Sequence, residues 1–222
     1  MKHRRVTLVL YGIGTYLGRE VARFGRAMGH RMVAVVDAVP EFDAPWMHGI
    51  HWAPPQSQTI DDRLQGPPKA ILYCDTTLWD GGRGRFRQVL FERPRELIKA
   101  AASLQPPPRF VYRSTTTQSL LPAPFTAYCR RTEQEITRCD LPSVILRLPL
   151  LYGPDRPDSV AAMMIASGLA GIPLSALSRH APKTLRVETA ALATLRAALE
   201  PDIAGILEPD DVSRIGDVMI PQ

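Results

Sequence analysis

The stretch from Val6 to Asp37 constrains the fold more than any other. Val6 to Tyr11 is an apolar run that stops at Gly12, the pattern of a strand buried on both faces of a parallel sheet. Beyond the glycines, Leu17, Val21, Phe24 and Met28 recur at helical spacing, while Arg19, Glu20, Arg23 and Arg26 take the other face and Gly29 supplies a stop. Burying those four apolar side chains is worth roughly 1.5–3 kcal/mol each, ample to dock such a helix on a sheet. A second apolar strand, Met32 to Val36, then ends at Asp37. The order strand, glycine turn, helix, strand, acid is that of a βαβ unit.

The turn Gly12-Ile13-Gly14-Thr15-Tyr16-Leu17-Gly18 lies where a helix N-terminus presents N–H groups to a pyrophosphate, and its glycines let backbone and phosphate approach closely. These residues are the expected dinucleotide cradle. Asp37 stands where an acid accepts hydrogen bonds from an adenosine ribose and disfavours a 2′-phosphate, so NAD is expected over NADP.

The alternation continues along the chain. Gly49 to Ala53 reads as a short third strand, Ala70 to Cys74 as the fourth, Phe110 to Arg113 as the fifth and Ser143 to Leu148 as the sixth. Between them, Phe86 to Leu104 carries helical periodicity broken by Pro94, which should kink the helix or begin a new one, and Ala127 to Cys139 reads as a helix. Past Gly153 the pattern loosens into a helix around Ser159 to Leu169, an extended Thr184 to Val187, a helix from Glu188 to Leu199 and a short helix from Asp211. The expectation is one domain, with a dinucleotide-binding core over residues 1–153 and a small cap over 154–222.

Composition fits that picture. In 222 residues, 45% are apolar and 22% charged, the balance of an ordinary globular protein. The net charge of +5 favours anionic ligands without selecting one. Cys74, Cys129 and Cys139 lack metal-ligand spacing, and His48 and His51 lack a third ligand, so neither a disulfide framework nor a metal is expected. Gly81 to Arg87 interleaves glycine and arginine with Phe86, but no wider pattern accompanies it, and nucleic acid is not expected. No apolar stretch has the length of a membrane span, and the reading is a cytoplasmic protein without a membrane partner.

Four further stretches carry a resemblance to the atypical or extended short-chain dehydrogenase/reductases. Arg109-Phe-Val-Tyr-Arg-Ser-Thr-Thr resembles that family's fifth strand, with Thr115 on the catalytic Ser/Thr position and Ser114 beside it. Tyr128 sits where the family keeps its catalytic tyrosine, and Arg147-Leu-Pro-Leu-Leu-Tyr-Gly-Pro154 is similar to a segment whose proline region, here Pro149, lines the nicotinamide pocket. Leu72-Tyr-Cys-Asp-Thr-Thr77, the short gap from Thr115 to Tyr128, and the tail are most similar to the Tat-interacting-protein subgroup. The resemblance implies an α/β doubly wound parallel sheet, Rossmann-like with strand order 3-2-1-4-5-6, and a cofactor site that includes Thr76 and Thr77.

Two departures bear on function. The family's Gly-x-x-Gly-x-x-Gly has Thr15 in its middle place, with Gly14 one residue earlier. Its Tyr-x-x-x-Lys reads Tyr128-Cys-Arg-Arg-Thr132, which leaves Arg131 as the nearby cation able to share a face with Tyr128. Three functions are expected on this footing. The first is an oxidoreductase acting on a small carbonyl or alcohol, with Tyr128 as acid–base and Thr115 on the substrate oxygen. The second is a noncatalytic redox-sensing regulator with a protein partner, and the third a nucleotide-sugar epimerase or dehydratase.

Overall fold

The computed structural model describes residues 5–37, 45–54, 67–75, 86–116, 123–153 and 184–217. Nine strands are present among them: β1 Thr7–Tyr11, β2 Arg31–Val35, β3 His51–Ala53, β4 Ala70–Tyr73, β5 Arg109–Thr115, β6 Ser143–Leu148, β7 Leu150–Tyr152, β8 Thr184–Arg186 and β9 Gly205–Leu207. The helices are α1 Tyr16–Ala27, α2 Arg93–Ser103, α3 Ala123–Arg138, α4 Val187–Leu199 and α5 Pro209–Asp217. The main sheet is parallel throughout, ordered β3-β2-β1-β4-β5-β6-β9, and β7 and β8 form a separate parallel pair. The expected order 3-2-1-4-5-6 is observed and extended by one strand.

Strand alternation divides the core in two. Leu8, Leu10, Ala34, Leu72, Val111 and Leu146 face α1 and α4, while Val9, Val33, Ile71, Phe110, Tyr112 and Ile145 face α2 and α3. The doubly wound arrangement follows, because a parallel sheet with two apolar faces needs helices on both. On α1, Leu17 and Val21 are buried as expected, Phe24 and Met28 are half-buried, and Glu20, assigned to the outer face, is buried beside Arg23.

Among the described residues expected in a cap, α4, β9 and α5 pack with the sheet layers. Ala190, Ala191, Ala193, Ala197 and Ala198 on α4 are all fully buried, packed against α1, α5 and the sheet. Small side chains on nearly every face let α4 sit in the middle of a helical layer. The close approach of α5 depends on Gly216, where a Cβ would come within 2.2 Å of the Thr189 carbonyl. β9 then joins the sheet beside β6. The expected helix around Ser159 to Leu169 lies outside the described residues.

Pro94 stands where a new α segment begins, one of the two outcomes expected for it. A π turn, Gln88–Glu92, runs directly into α2, and Pro94 is the second residue of α2. Proline offers no N–H to the carbonyl four residues back and crowds it. That carbonyl belongs to Leu90, and it accepts hydrogen bonds from Thr132 Oγ1 at 2.5 Å and Tyr112 Oη at 3.3 Å instead. The carbonyl of Val89 is taken by Tyr73 Oη. Side chains from β4, β5 and α3 thus replace the backbone donors that the π turn and its proline remove.

Candidate dinucleotide site at the carboxyl edge of the sheet

The glycine turn follows β1 and occupies the edge where parallel sheets of this kind bind ligands. Gly12 has φ +83°, and a Cβ there would lie 2.4 Å from the Asp75 nitrogen, so the end of β1 is pressed against the end of β4. At Gly18 a Cβ would come within 2.0 Å of the Gly12 carbonyl oxygen, which makes this glycine the condition for α1 lying close to β1. Gly14 differs, since it is exposed and a Cβ would meet nothing within 4 Å. Open space at Gly14 is what a pyrophosphate needs above a helix N-terminus.

Thr15, which replaces the family's middle glycine, turns inward. Its hydroxyl donates to the Gly12 carbonyl at 2.7 Å, accepts from the Gly18 N–H at 3.0 Å and lies 3.2 Å from the Cys74 carbonyl. It is the N-cap of α1, so its side chain braces the turn from below. Tyr16 and Leu17 open the helix and are buried. A Cβ on Gly153 would lie 2.2 Å from Tyr16 Oη, so the chain just beyond β7 packs directly onto the start of α1. The turn fits the diphosphate of a dinucleotide on these grounds.

Asp37 lies just beyond β2, exposed, with Arg93 Nη2 at 3.4 Å from both carboxylate oxygens. Sequence reasoning missed Arg93, because 56 residues separate the partners and only tertiary structure brings them together. Tyr11, Tyr73 and Tyr112 stand in one register across β1, β4 and β5, with neighbouring rings stacked at 5.9 and 6.0 Å. Burial pushes the Tyr11 hydroxyl up to about 12 and raises the other two well above the usual tyrosine value. Thr76 and Thr77 lie outside the described residues, as does most of Gly81 to Arg87, while Pro149 is buried between β6 and β7.

The residues expected to carry chemistry are dispersed. Ser114 and Thr115 point to opposite faces of β5. Ser114 is buried and donates to Glu133 Oε1, while the Thr115 carbonyl accepts from Arg130 Nη2 at 2.7 Å. Tyr128 is half-buried against the cluster of Val89, Leu90, Phe125 and Cys129. No described hydrogen bond joins it to Thr115. Arg131 is exposed and lies over the Phe91 ring at 4.5 Å, on the outside of α3. Thr132 is fully buried, with its hydroxyl on the Leu90 carbonyl.

Glu133 is the second group that sequence reasoning missed. Its buried carboxylate is bound by Arg130 and by Arg147 Nη2 at 2.6 Å, and Arg147 Nη1 reaches Glu208 at 2.7 Å. These carboxylates hold the Arg147 guanidinium more firmly protonated than usual. The arginine that opens the Arg-x-Pro segment therefore ties α3 and β6 to Glu208, between β9 and α5. Acid flanked by arginines in Arg130-Arg131-Thr132-Glu133 was the available signal, though it reads equally as a solvated helix face.

No family model matches the sequence, and neither does any curated protein. Solved structures do match in shape. A short-chain dehydrogenase/reductase superfamily protein from Agrobacterium tumefaciens, determined with bound NAD, superposes with TM-score 0.65 at 17% identity, over 91% of this chain and 77% of its own. UDP-N-acetylglucosamine 4-epimerase from Bacillus cereus gives 0.65 at 14% identity over the same shares, 91% and 77%. A Bacillus halodurans protein inferred to be an NAD-dependent epimerase/dehydratase gives 0.68 at 13% identity, over 96% of this chain and 100% of its own. This chain shares the Rossmann-like fold of the NAD-binding short-chain dehydrogenase/reductase structures.

Proposed function

We propose that the chain is an NAD(P)-binding protein of the short-chain dehydrogenase/reductase type, holding the dinucleotide across the carboxyl edge of its sheet. The observation that carries this reading is the glycine turn. Gly12 and Gly18 are fixed by packing, while Gly14 alone leaves open space beside the N-terminus of α1. Diphosphate would lie over Gly14 and the first turn of α1, adenosine ribose by Asp37, and nicotinamide toward Pro149. Solved neighbours with bound NAD support the same cofactor. The likeness to the Tat-interacting-protein subgroup remains part of this proposal and rests on the short Thr115–Tyr128 gap and the tail.

A bound nicotinamide would supply hydride exchange, and Tyr128, from its match to the family's tyrosine, would move the matching proton. This reading covers both the oxidoreductase on a small carbonyl and the epimerase or dehydratase that the names of neighbours suggest. A second reading is favoured by Thr132: its hydroxyl serves Leu90 and its position is fully buried, so no cation stands there to acidify Tyr128. Dinucleotide occupancy would then be the function, read by a protein partner.

The test is calorimetric titration with NAD, NADH, NADP and NADPH, set against Gly14→Val. The variant is expected to fold normally and to lose about tenfold or more in affinity, since a branched side chain fills the space left for phosphate. Unchanged affinity would defeat the proposal. A carbonyl screen with the bound cofactor then separates the readings, because binding without turnover marks the regulator.

A further inference from the structure

The Asp37–Arg93 pair is unexplained by a site built for the unphosphorylated cofactor. An acid at the end of β2 selects against a 2′-phosphate by repulsion and by accepting the ribose hydroxyls. Here the carboxylate is met by a guanidinium whose Nη2 lies 3.4 Å from both its oxygens. Both side chains are solvent-accessible, so neither is locked by burial and each is able to turn to an incoming ligand. The π turn Gln88–Glu92 fixes the approach, since the Arg93 N–H closes onto the Gln88 carbonyl and α2 restarts in a phase shifted by the extra residue. Arg93 also lies near enough to Tyr11 and Tyr73 to act electrostatically on both, which puts its charge over the ends of β1 and β4.

We infer that Arg93 is a specificity-determining residue of the adenosine-ribose corner, and that through it this corner accepts the 2′-phosphorylated dinucleotide as well as the plain one. The inference rests on the dinucleotide reading above. With the plain cofactor, Asp37 receives the ribose hydroxyls and Arg93 stays beside it. With a 2′-phosphate, the guanidinium transfers from the carboxylate to the phosphate, where its planar fork makes charge-assisted hydrogen bonds. The pair is neutral as a unit, so the corner presents no net repulsion to the extra phosphate.

The experiment is calorimetry on the full chain with NAD, NADP, 5′-AMP and 2′,5′-ADP, for wild type, Arg93→Ala and Arg93→Lys, with thermal melts to confirm folding. Wild type is expected to bind NAD and NADP within about tenfold of each other, and the NADP affinity to fall more steeply with salt. Arg93→Ala should weaken NADP and 2′,5′-ADP by about tenfold or more while moving NAD and 5′-AMP by less than about threefold. Arg93→Lys, which keeps the charge without the fork, should fall between them. A wild-type gap wider than about tenfold, or an NAD-to-NADP ratio unchanged in Arg93→Ala, overturns the inference and leaves the dinucleotide reading standing. Absence of binding by all four ligands overturns both.

Discussion

At the carboxyl end of β1 the chain leaves space, and on α3 it fills it. Gly14 stands open while Gly12 and Gly18 are wedged against backbone, so the turn is rigid where it meets the protein and bare where a phosphate would come. On α3, Thr132 is fully buried, its hydroxyl supplies the carbonyl that Pro94 cannot, and Arg131 lies outside over Phe91. Both corners belong to one fold and follow from local backbone needs, yet one need produces a vacancy and the other a plug. On the proposed function, binding and turnover would therefore be separable, because Gly12 packs against the end of β4 and Gly18 against the turn after β1, while Thr132 packs against the π turn.

Thr132→Lys is the most severe test of this contrast. In a filled corner, a lysine brings a charge into a fully buried position and removes the hydroxyl from Leu90, which should cost roughly 3–5 kcal/mol in a denaturant melt. It should bring no turnover of carbonyl substrates. A variant that melts like wild type and reduces a carbonyl would show that the α3 corner is open to chemistry and that the contrast is mistaken.

The turn is tested from the other side by Gly12→Ala. A side chain at φ +83° must adopt a left-handed backbone and push against β4, for a cost of roughly 2–4 kcal/mol. Gly14→Ala, by comparison, should lie within about 0.5 kcal/mol of wild type in the same urea titration. Equal costs at the two positions would erase the distinction between a wedged glycine and an open one.

Legibility followed the range of the interactions. β1, α1 and β2 could be read from local sequence because strand burial, the glycine turn and the helical stripe are contained within about thirty residues. β6 was read with its observed bounds, Ser143–Leu148, since Pro142 and Pro149 punctuate it. β7 and β9 were missed: at three residues each they have no periodicity of their own and exist through pairing with β8 and β6. The helix from Glu188 to Leu199 was read as part of a small cap, and only packing between α1 and α5 shows that its small side chains mark a crowded layer. Within the site, Gly12, Gly14, Gly18 and Asp37 were legible from their places in the βαβ unit. The inward turn of Thr15, the commitment of Ser114 to Glu133 and the reach of Arg93 to Asp37 depend on side-chain partners that no spacing rule supplies.

The tyrosine row lies beneath both corners and gives a pH test. Burial raises Tyr11 from 10.0 to about 12, and raises Tyr73 and Tyr112 well above the usual tyrosine value. The folded state therefore retains protons that the unfolded state has released, so the stabilisation is complete below pH 10 and is lost as pH rises through about 12. For Tyr11 the loss is on the order of 2–3 kcal/mol over that window. Ultraviolet titration should show these phenols ionising together with unfolding. Their ionisation in a still-folded protein would mean that the sheet beneath the two corners is wetter than its packing indicates.

Arg131→Ala has a small expected effect and bears most directly on the missing lysine. Arg131 was the sequence's candidate to replace that cation, one turn along from Tyr128. Its guanidinium instead covers the Phe91 ring at 4.5 Å on an exposed face, where a cation–π contact is worth roughly 0.5–1 kcal/mol. Removal should lower stability by about that amount and leave dinucleotide affinity unchanged. If affinity for the nicotinamide half falls instead, measured as loss of NADH binding with 5′-AMP binding retained, then Arg131 leaves Phe91 for the ribose when the cofactor arrives. The α3 corner would then carry a working substitute for lysine, and Tyr128 would have a cation beside it on the cofactor.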